Sequence, residues 1–260
     1  MNSGRTEVSV FQESKDISEF LMRRWKEILD VAIKKKGYFA AALSGGKTPV
    51  DFYLKLSGFK NSAYWDKTHI FLVDERFLPA DHPDSNYRLL FDILLSKIPI
   101  PRQNIHPVPV ETDNPELSAI EYEEELKHFF QLPMDQIPVF DLVLLGIGAD
   151  GHTASLFPGD RAVHDTLHLS TFAILDKQRH SRITLTLPVI NRAENIFLLA
   201  TGINKANIIR KVVEEKDSSL PAALVSPKNG GLTFLFDSAA ASKLQNFLSY
   251  SVIVGKESYQ

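Results

Sequence analysis

The sequence predicts an α/β fold with a largely parallel sheet and helices on both of its faces. Three observations predict it. Short apolar runs alternate with helical patterns along most of the chain. The runs are apolar almost throughout, as strands covered on both sides are. Polar segments, two of them rich in glycine, follow the strands, which is where open sheets of this class hold ligands.

The elements follow in order. The first clear one is a helix from about Ile17 to Lys36. Ile17, Phe20, Leu21, Trp25, Ile28, Leu29, Ala32 and Ile33 recur at helical spacing and make one apolar stripe. Gly37, after the basic run Lys34-Lys35-Lys36, ends it. Tyr38 to Leu43 is a buried strand and Pro49 to Leu56 a helix. Ile70 to Val73 is a strand, Asn86 to Leu95 a helix, and Glu116 to Phe130 an acidic amphipathic helix. Asp141 to Leu145, Phe172 to Leu175, Ile183 to Leu187 and Asn195 to Ala200 are strands. Lys205 to Glu215 is helical, Ala222 to Val225 short and extended, and Ser238 to Leu248 helical. Two proline-bearing loops, Pro99 to Pro115 and Gln131 to Pro138, lack the Gly/Ser or charge bias of a free linker. One domain over 1–260 with two rigid excursions is therefore expected.

Composition narrows the function. With 260 residues and 44% hydrophobic content, the chain can bury a substantial core. It has no cysteine, which removes disulfides, thiolate zinc sites and cysteine nucleophiles together. A net charge of −3 gives no support for a nucleic-acid surface, so any anion site is local. The opening Met1-Asn2-Ser3-Gly4-Arg5-Thr6-Glu7 is polar, and no apolar run is long enough to span a bilayer. The expectation is a cytoplasmic protein with no nucleic-acid or membrane partner.

Chemistry gathers where strands end. Ser44-Gly45-Gly46-Lys47-Thr48-Pro49 follows the first strand. Its glycines let the backbone turn and expose N–H groups, Thr48 is the expected N-cap, and Pro49 suits the first helical position. Strand, glycine loop and helix start make an anion site. The upstream glycine of a P-loop is absent, because Ala41 stands there. Asp74-Glu75-Arg76 follows Ile70 to Val73, either as a solvated strand end or as part of a site. Ser85 reads as the cap of the next helix.

After Asp141 to Leu145 comes Gly146-Ile147-Gly148-Ala149-Asp150-Gly151-His152. Its glycines match a dinucleotide fingerprint, but that motif belongs in a first βα unit and this one lies past mid-chain. Phe157-Pro158-Gly159 also cuts short any helix after it. His152 beside Asp150 suggests acid–base work instead. Imidazole takes and gives a proton near neutrality, and a carboxylate orients it. Asp-x-His lacks a clear third ligand for a metal. Arg182 and Lys205 are natural phosphate partners if the fold brings them to the same end of the sheet.

Together these segments resemble the 6-phosphogluconolactonase family, a relative of the glucosamine-6-phosphate deaminases. The carriers are Leu43 to Pro49, Val73 to Arg76, Asp84-Ser85-Asn86, Gly146 to Gly159, Arg182 to Thr186, and Thr201-Gly202 with Lys205-Ala206. The resemblance implies a three-layer α/β/α Rossmann-like domain with a mostly parallel sheet, of the NagB/RpiA/CoA-transferase-like kind. It implies hydrolysis of 6-phospho-D-glucono-1,5-lactone to 6-phosphogluconate, with no required metal or organic cofactor and a small phosphosugar lactone as the small-molecule partner; monomer and homodimer both stay open. By motif position it makes His152 the general base, Asp150 its neighbour, and Arg76 a group near the lactone. Ser44, Gly45, Gly46, Lys47, Thr48, Asp74, Arg182 and Lys205 fall around the substrate and its phosphate. Lys47 stands where many relatives carry Ser, and 177–181 lacks the prolines expected there. The nearest rival is a sugar-phosphate isomerase or deaminase with Asp74 as base. That branch carries an Asn-Glu pair shortly after the histidine, whereas here Ser155-Leu156-Phe157-Pro158 has no carboxylate. A non-catalytic sugar-phosphate sensor is the third reading.

Overall fold

The computed structural model describes residues 5–133, 135–174, 180–245 and 251–253. In chain order its elements are β1 (Arg5–Phe11), α1 (Ser14–Lys36), β2 (Phe39–Leu43), α2 (Val50–Leu56), α3 (Ser62–Trp65), β3 (Thr68–Leu72), β4 (Asp74–Arg76), α4 (Asn86–Ile93), β5 (Ile105–His106), α5 (Pro115–Phe130), β6 (Leu142–Gly146), β7 (Ser170–Ala173), β8 (Arg182–Leu185), α6 (Leu187–Ile190), β9 (Asn195–Ala200), α7 (Ala206–Arg210), β10 (Gly231–Asp237) and β11 (Ser251–Ile253). Eight strands form one sheet in the order β11-β1-β10-β9-β6-β2-β3-β5. Every pairing in it is parallel, as the sequence predicts.

Helices cover both faces because side chains alternate along each strand. In the β2–β3 register, Ala42 lies beside Phe71, so Phe39 and Phe71 point to opposite faces. On one face Phe39 meets the Trp25 ring of α1 at 4.8 Å. On the other, Phe71 meets Phe129 of α5 at 5.1 Å. α1 presents the predicted stripe, with Ile17, Leu21, Trp25, Ile28, Leu29 and Ala32 buried, and Gly37 closes it by donating its N–H to Ile33 O at 2.9 Å. Ser85 caps α4 as expected, accepting from Arg88 N–H at 3.1 Å. No described helix is long and apolar enough to cross a membrane.

Several expectations are corrected. A strand, not a helix, comes first. The β1 segment begins polar but buries Val8, Ser9, Val10 and Phe11 between two neighbours, so tertiary pairing overrides weak local preference. β10 was likewise unforeseen. The expected strands Phe172 to Leu175 and Ile183 to Leu187 lie outside the large sheet. They appear as β7 and β8, which with β4 form a small antiparallel sheet. Leu175 itself is outside the described residues. Leu187 already belongs to α6, with Pro188 in its first turn. The extended reading of Ala222 to Val225 gives way to a 3-10 helix over Pro221–Leu224, again opened by proline. The helix expected from Ser238 is a series of turns through Lys243, and its end near Leu248 falls outside the described residues.

Candidate active site

Strand order decides where the site lies. From β2 the chain builds one way, through β3 to β5. From β6 it builds the other way, through β9 to β10. The reversal falls between β2 and β6, which are neighbours. Loops leaving two such strands part at their carboxyl ends and leave a crevice. Ser44, Gly45, Gly46, Lys47, Thr48, Asp74, Arg76, His152 and Lys205 line one open cavity of about 260 Å³ there. Asp150 and Arg182 are not on its wall. A larger cavity, about 730 Å³, opens at the opposite end of the strands among Arg5, Glu7, Glu194 and Gly231. It has neither a histidine nor either of the two loops, so size does not identify the site.

The loop after β2 is tied down at its root. The Ser44 hydroxyl donates to Leu144 O at 2.7 Å, and the Tyr53 hydroxyl donates to Ser44 O at 2.6 Å. Ser44 is therefore engaged in joining β2 to β6. A side chain on Gly45 is excluded, because a Cβ there would lie 2.0 Å from Asn86 Oδ1. Asn86 in turn donates through Nδ2 to Asp74 O at 2.9 Å. Among the described residues, the N–H groups of Gly45, Gly46, Lys47 and Thr48 donate to no protein group. The predicted cap is corrected. Pro49, not Thr48, occupies the N-cap of α2, without a side-chain bond, and the helix starts at Val50. Thr48 is thus left facing the cavity.

The second loop explains its glycines. His152 Nδ1 lies 2.5 Å from Asp150 Oδ1, and His152 N–H also donates to that oxygen at 3.2 Å. The carboxylate accepts a hydrogen bond from Nδ1–H, which fixes the proton on Nδ1 and leaves Nε2 with a lone pair. A Cβ on Gly148 would come within 2.1 Å of His152 Nδ1 and 2.6 Å of Asp150 Oδ1. The second glycine of the apparent nucleotide fingerprint therefore makes room for a histidine–aspartate pair. Burial raises the Asp150 carboxyl, but the attraction of His152 and the bonds from it prevail, and the net displacement is downward. The Phe157 ring, 4.7 Å away, backs the imidazole.

Of the two readings of Asp74-Glu75-Arg76, the solvated strand end gives way: the segment is β4, the edge strand of the small sheet, with both carboxylates buried. Asp74 is 7% exposed and Glu75 2%. Alternation puts Asp74 and Arg76 on the cavity side and Glu75 on the other. Glu75 accepts from Asn86 N–H and Tyr87 N–H, each at 2.7 Å, and from the Ser85 hydroxyl at 3.0 Å, so it holds the start of α4. Burial still pushes its carboxyl upward against these bonds. Arg76 pairs across the strands with Arg182. Burial first, then Arg76, lowers the Arg182 guanidinium, with Asp74 and Glu75 opposing. Among the described residues, Nε of Arg76 and Nε of Arg182 are two of three buried side-chain polar atoms lacking a partner.

Lys205 reaches the cavity from the turn after β9. Its Nζ donates to Ile147 O at 2.8 Å, and burial lowers its ammonium against the pull of Asp150. Sequence reasoning missed Asn86 and Ser155 as parts of this assembly. Asn86 lay in a quoted segment but was overshadowed by Ser85 as a cap. Ser155, 1% exposed, carried no local signal; its hydroxyl donates to Asp74 Oδ2 at 2.6 Å. Among the described residues no group of three or more His, Cys, Asp or Glu side chains has metal-holding geometry.

Comparison with known proteins gives a consistent picture. Residues 12–234 match the family model described as glucosamine-6-phosphate isomerases/6-phosphogluconolactonase. The chain is 40% identical over 218 residues to the 6-phosphogluconolactonase of Nostoc sp., covering 83% of this chain and 89% of that one. It is 38% identical over 257 residues to a protein of Arabidopsis thaliana named probable 6-phosphogluconolactonase 1, covering 94% and 95%. The solved 6-phosphogluconolactonase from Trypanosoma cruzi superposes with a TM-score of 0.83 at 28% identity, covering 94% of this chain and 98% of that one.

Proposed function

Since the chain belongs to the glucosamine-6-phosphate isomerase/6-phosphogluconolactonase family, we propose that it hydrolyses 6-phospho-D-glucono-1,5-lactone to 6-phospho-D-gluconate, a step of the oxidative pentose phosphate pathway. The observation that carries this reading is His152, held 2.5 Å from Asp150 behind it, on the wall of a cavity that Arg76, Lys47 and Lys205 also line. His152 Nε2 takes a proton from water as the water oxygen bonds to the lactone carbonyl carbon. The developing oxyanion is met by Arg76 and loop N–H groups. The imidazolium, steadied by Asp150, then gives its proton to the ring oxygen as the ring C–O bond breaks. The free N–H groups of Gly45 to Thr48, with Lys47 and Lys205, hold the phosphate and so place the carbonyl beside the base. Arg182 adds positive potential behind Arg76.

One observation weighs against the isomerase or deaminase reading. The Asp74 carboxylate, which that chemistry needs as a base, is engaged by Ser155. The test is hydrolysis of freshly generated phosphorylated lactone, corrected for spontaneous opening, beside unphosphorylated gluconolactone. Strong preference for the phosphorylated form is expected, with a loss of at least about 100-fold in folded His152→Ala. Near-native activity in that variant sinks the base assignment. Equal rates on both lactones sink the phosphate cradle, and ammonia release from glucosamine 6-phosphate revives the rival.

A further inference from the structure

The base and the arginine come from different sheets, which meet where β3 runs through Val73 into β4 and Val73 N–H donates to Leu43 O at 3.0 Å. His152 follows β6 of the large sheet, while Arg76 lies on β4 of the small one. A second link is Ser155. Its hydroxyl donates to Asp74 Oδ2 at 2.6 Å, and its N–H donates to Thr184 Oγ1 at 3.2 Å. Thr184 is the cross-strand partner of Asp74, so Ser155 grips β4 by side chain and β8 by main chain. All three residues are buried. On the other side, Thr153 Oγ1 donates to Gly146 O at 2.9 Å, anchoring the same turn to β6. Between the anchors Ala154 holds φ +51°, a conformation that a non-glycine residue keeps only where its flanks are fixed.

From this we infer that Ser155 is a positioning residue that sets the gap between His152 and Arg76; the inference rests on the lactonase reading above. The route through the turn runs three residues from His152 to Ser155, across one hydrogen bond, and two residues from Asp74 to Arg76. Asp74 and Arg76 share a strand face, so a carboxylate released by Ser155 has a guanidinium within reach. Without the clamp Asp74 turns toward Arg76 and neutralises the charge meant for the oxyanion. That loss falls on the transition state, not on substrate binding, because the phosphate is held elsewhere.

The test compares wild type, Ser155→Ala and Ser155→Cys, the last keeping the volume with a weaker donor. For Ser155→Ala we expect kcat to fall at least about tenfold, KM to stay within about threefold, and the acid limb of the kcat/KM profile to stay in place. Ser155→Cys should fall between the two. In an Arg76→Ala background, the further loss from Ser155→Ala should disappear. Unchanged kcat per folded molecule, or a loss that persists in full without Arg76, overturns the inference. Crystal structures of wild type and Ser155→Cys supply a readout independent of turnover. A displaced Asp74 or a changed His152–Arg76 separation supports the clamp; identical placement refutes it. Wild type without lactonase activity sinks the functional reading alone, and the crystal structures still decide the clamp.

Discussion

Replacing Gly148 by Ala isolates the geometry of the base from the stability of the fold. The added Cβ would stand 2.1 Å from His152 Nδ1, 2.3 Å from Cε1 and 2.6 Å from Asp150 Oδ1. Carbon contacts are comfortable at about 3.5 Å, so the imidazole must retreat by more than about 1 Å. A displacement of that size at a reacting group costs about 100-fold in rate, or about 2.7 kcal/mol of barrier. The fold should hardly notice. Gly148 is not among the residues with positive φ, so alanine meets no backbone penalty, and the atoms it strikes are side-chain ends on a partly open loop. The stability change should stay within about 1 kcal/mol. The assay pairs lactone hydrolysis with thermal unfolding on the same preparation. A variant that melts like wild type and turns over about a hundredfold more slowly is the expected result. A folded variant with native kcat would refute the claim that this glycine exists to seat the pair.

Three further outcomes follow from the same geometry. Asp150→Asn should keep the melting temperature and lower kcat by about 100-fold or more, because the amide no longer favours the Nδ1–H form and its cation; stopped-flow hydrolysis across pH measures it. Lys205→Ala should raise KM for the phosphorylated lactone about tenfold and leave the unphosphorylated lactone unchanged, which side-by-side kinetics decide. Acidification should destabilise the protein through the edge of the sheet. His69 Nδ1 lies 3.1 Å from His106 Nε2, and His106 Nδ1 lies 2.6 Å from Glu125. Burial, then His106 and Lys36, push His69 from 6.5 to about 4, and burial lowers His106 despite Glu125. Between those values the unfolded chain binds a proton that the folded chain refuses, so stability is full above pH 6.5 and lost as pH falls toward 4. The full shift corresponds to about 3.4 kcal/mol, and partial access of water to His69 reduces this to roughly 1–2 kcal/mol. Denaturant titrations at pH 7.5 and 4 should show most of that loss, and His69→Gln should remove most of it. An equal acid loss in the variant would be evidence against His69.

Much of the site was legible because its signals are local. A glycine loop after an apolar run announces exposed N–H groups, and a histidine two residues from an aspartate announces a proton-handling pair. What stayed hidden depends on distant partners. Glu75 reads as a surface charge until Ser85, Asn86 and Tyr87 arrive to satisfy it. Phe172 and Ile183 look like members of the main sheet, but their segments pair with each other, and that of Ile183 also with a three-residue strand that has no apolar signature. Arg182 belongs to the same arginine cluster as Arg76, yet register puts it behind its neighbour and off the cavity wall. β1 and β10 were missed because each owes its burial to the other.

That last pairing has a consequence for synthesis. Arg5 lies beside Gly231 and Phe11 beside Asp237, so β1 leaves the ribosome more than 200 residues ahead of its partner β10. At roughly 5–20 residues per second, Val8, Val10 and Phe11 wait on the order of 10–50 s with no sheet to join. The β2–β3 pair can close long before that. The nascent chain therefore carries an unpaired apolar strand while the residues between β1 and β10 are made, and shielding by a ribosome-associated chaperone matters most for Arg5–Phe11.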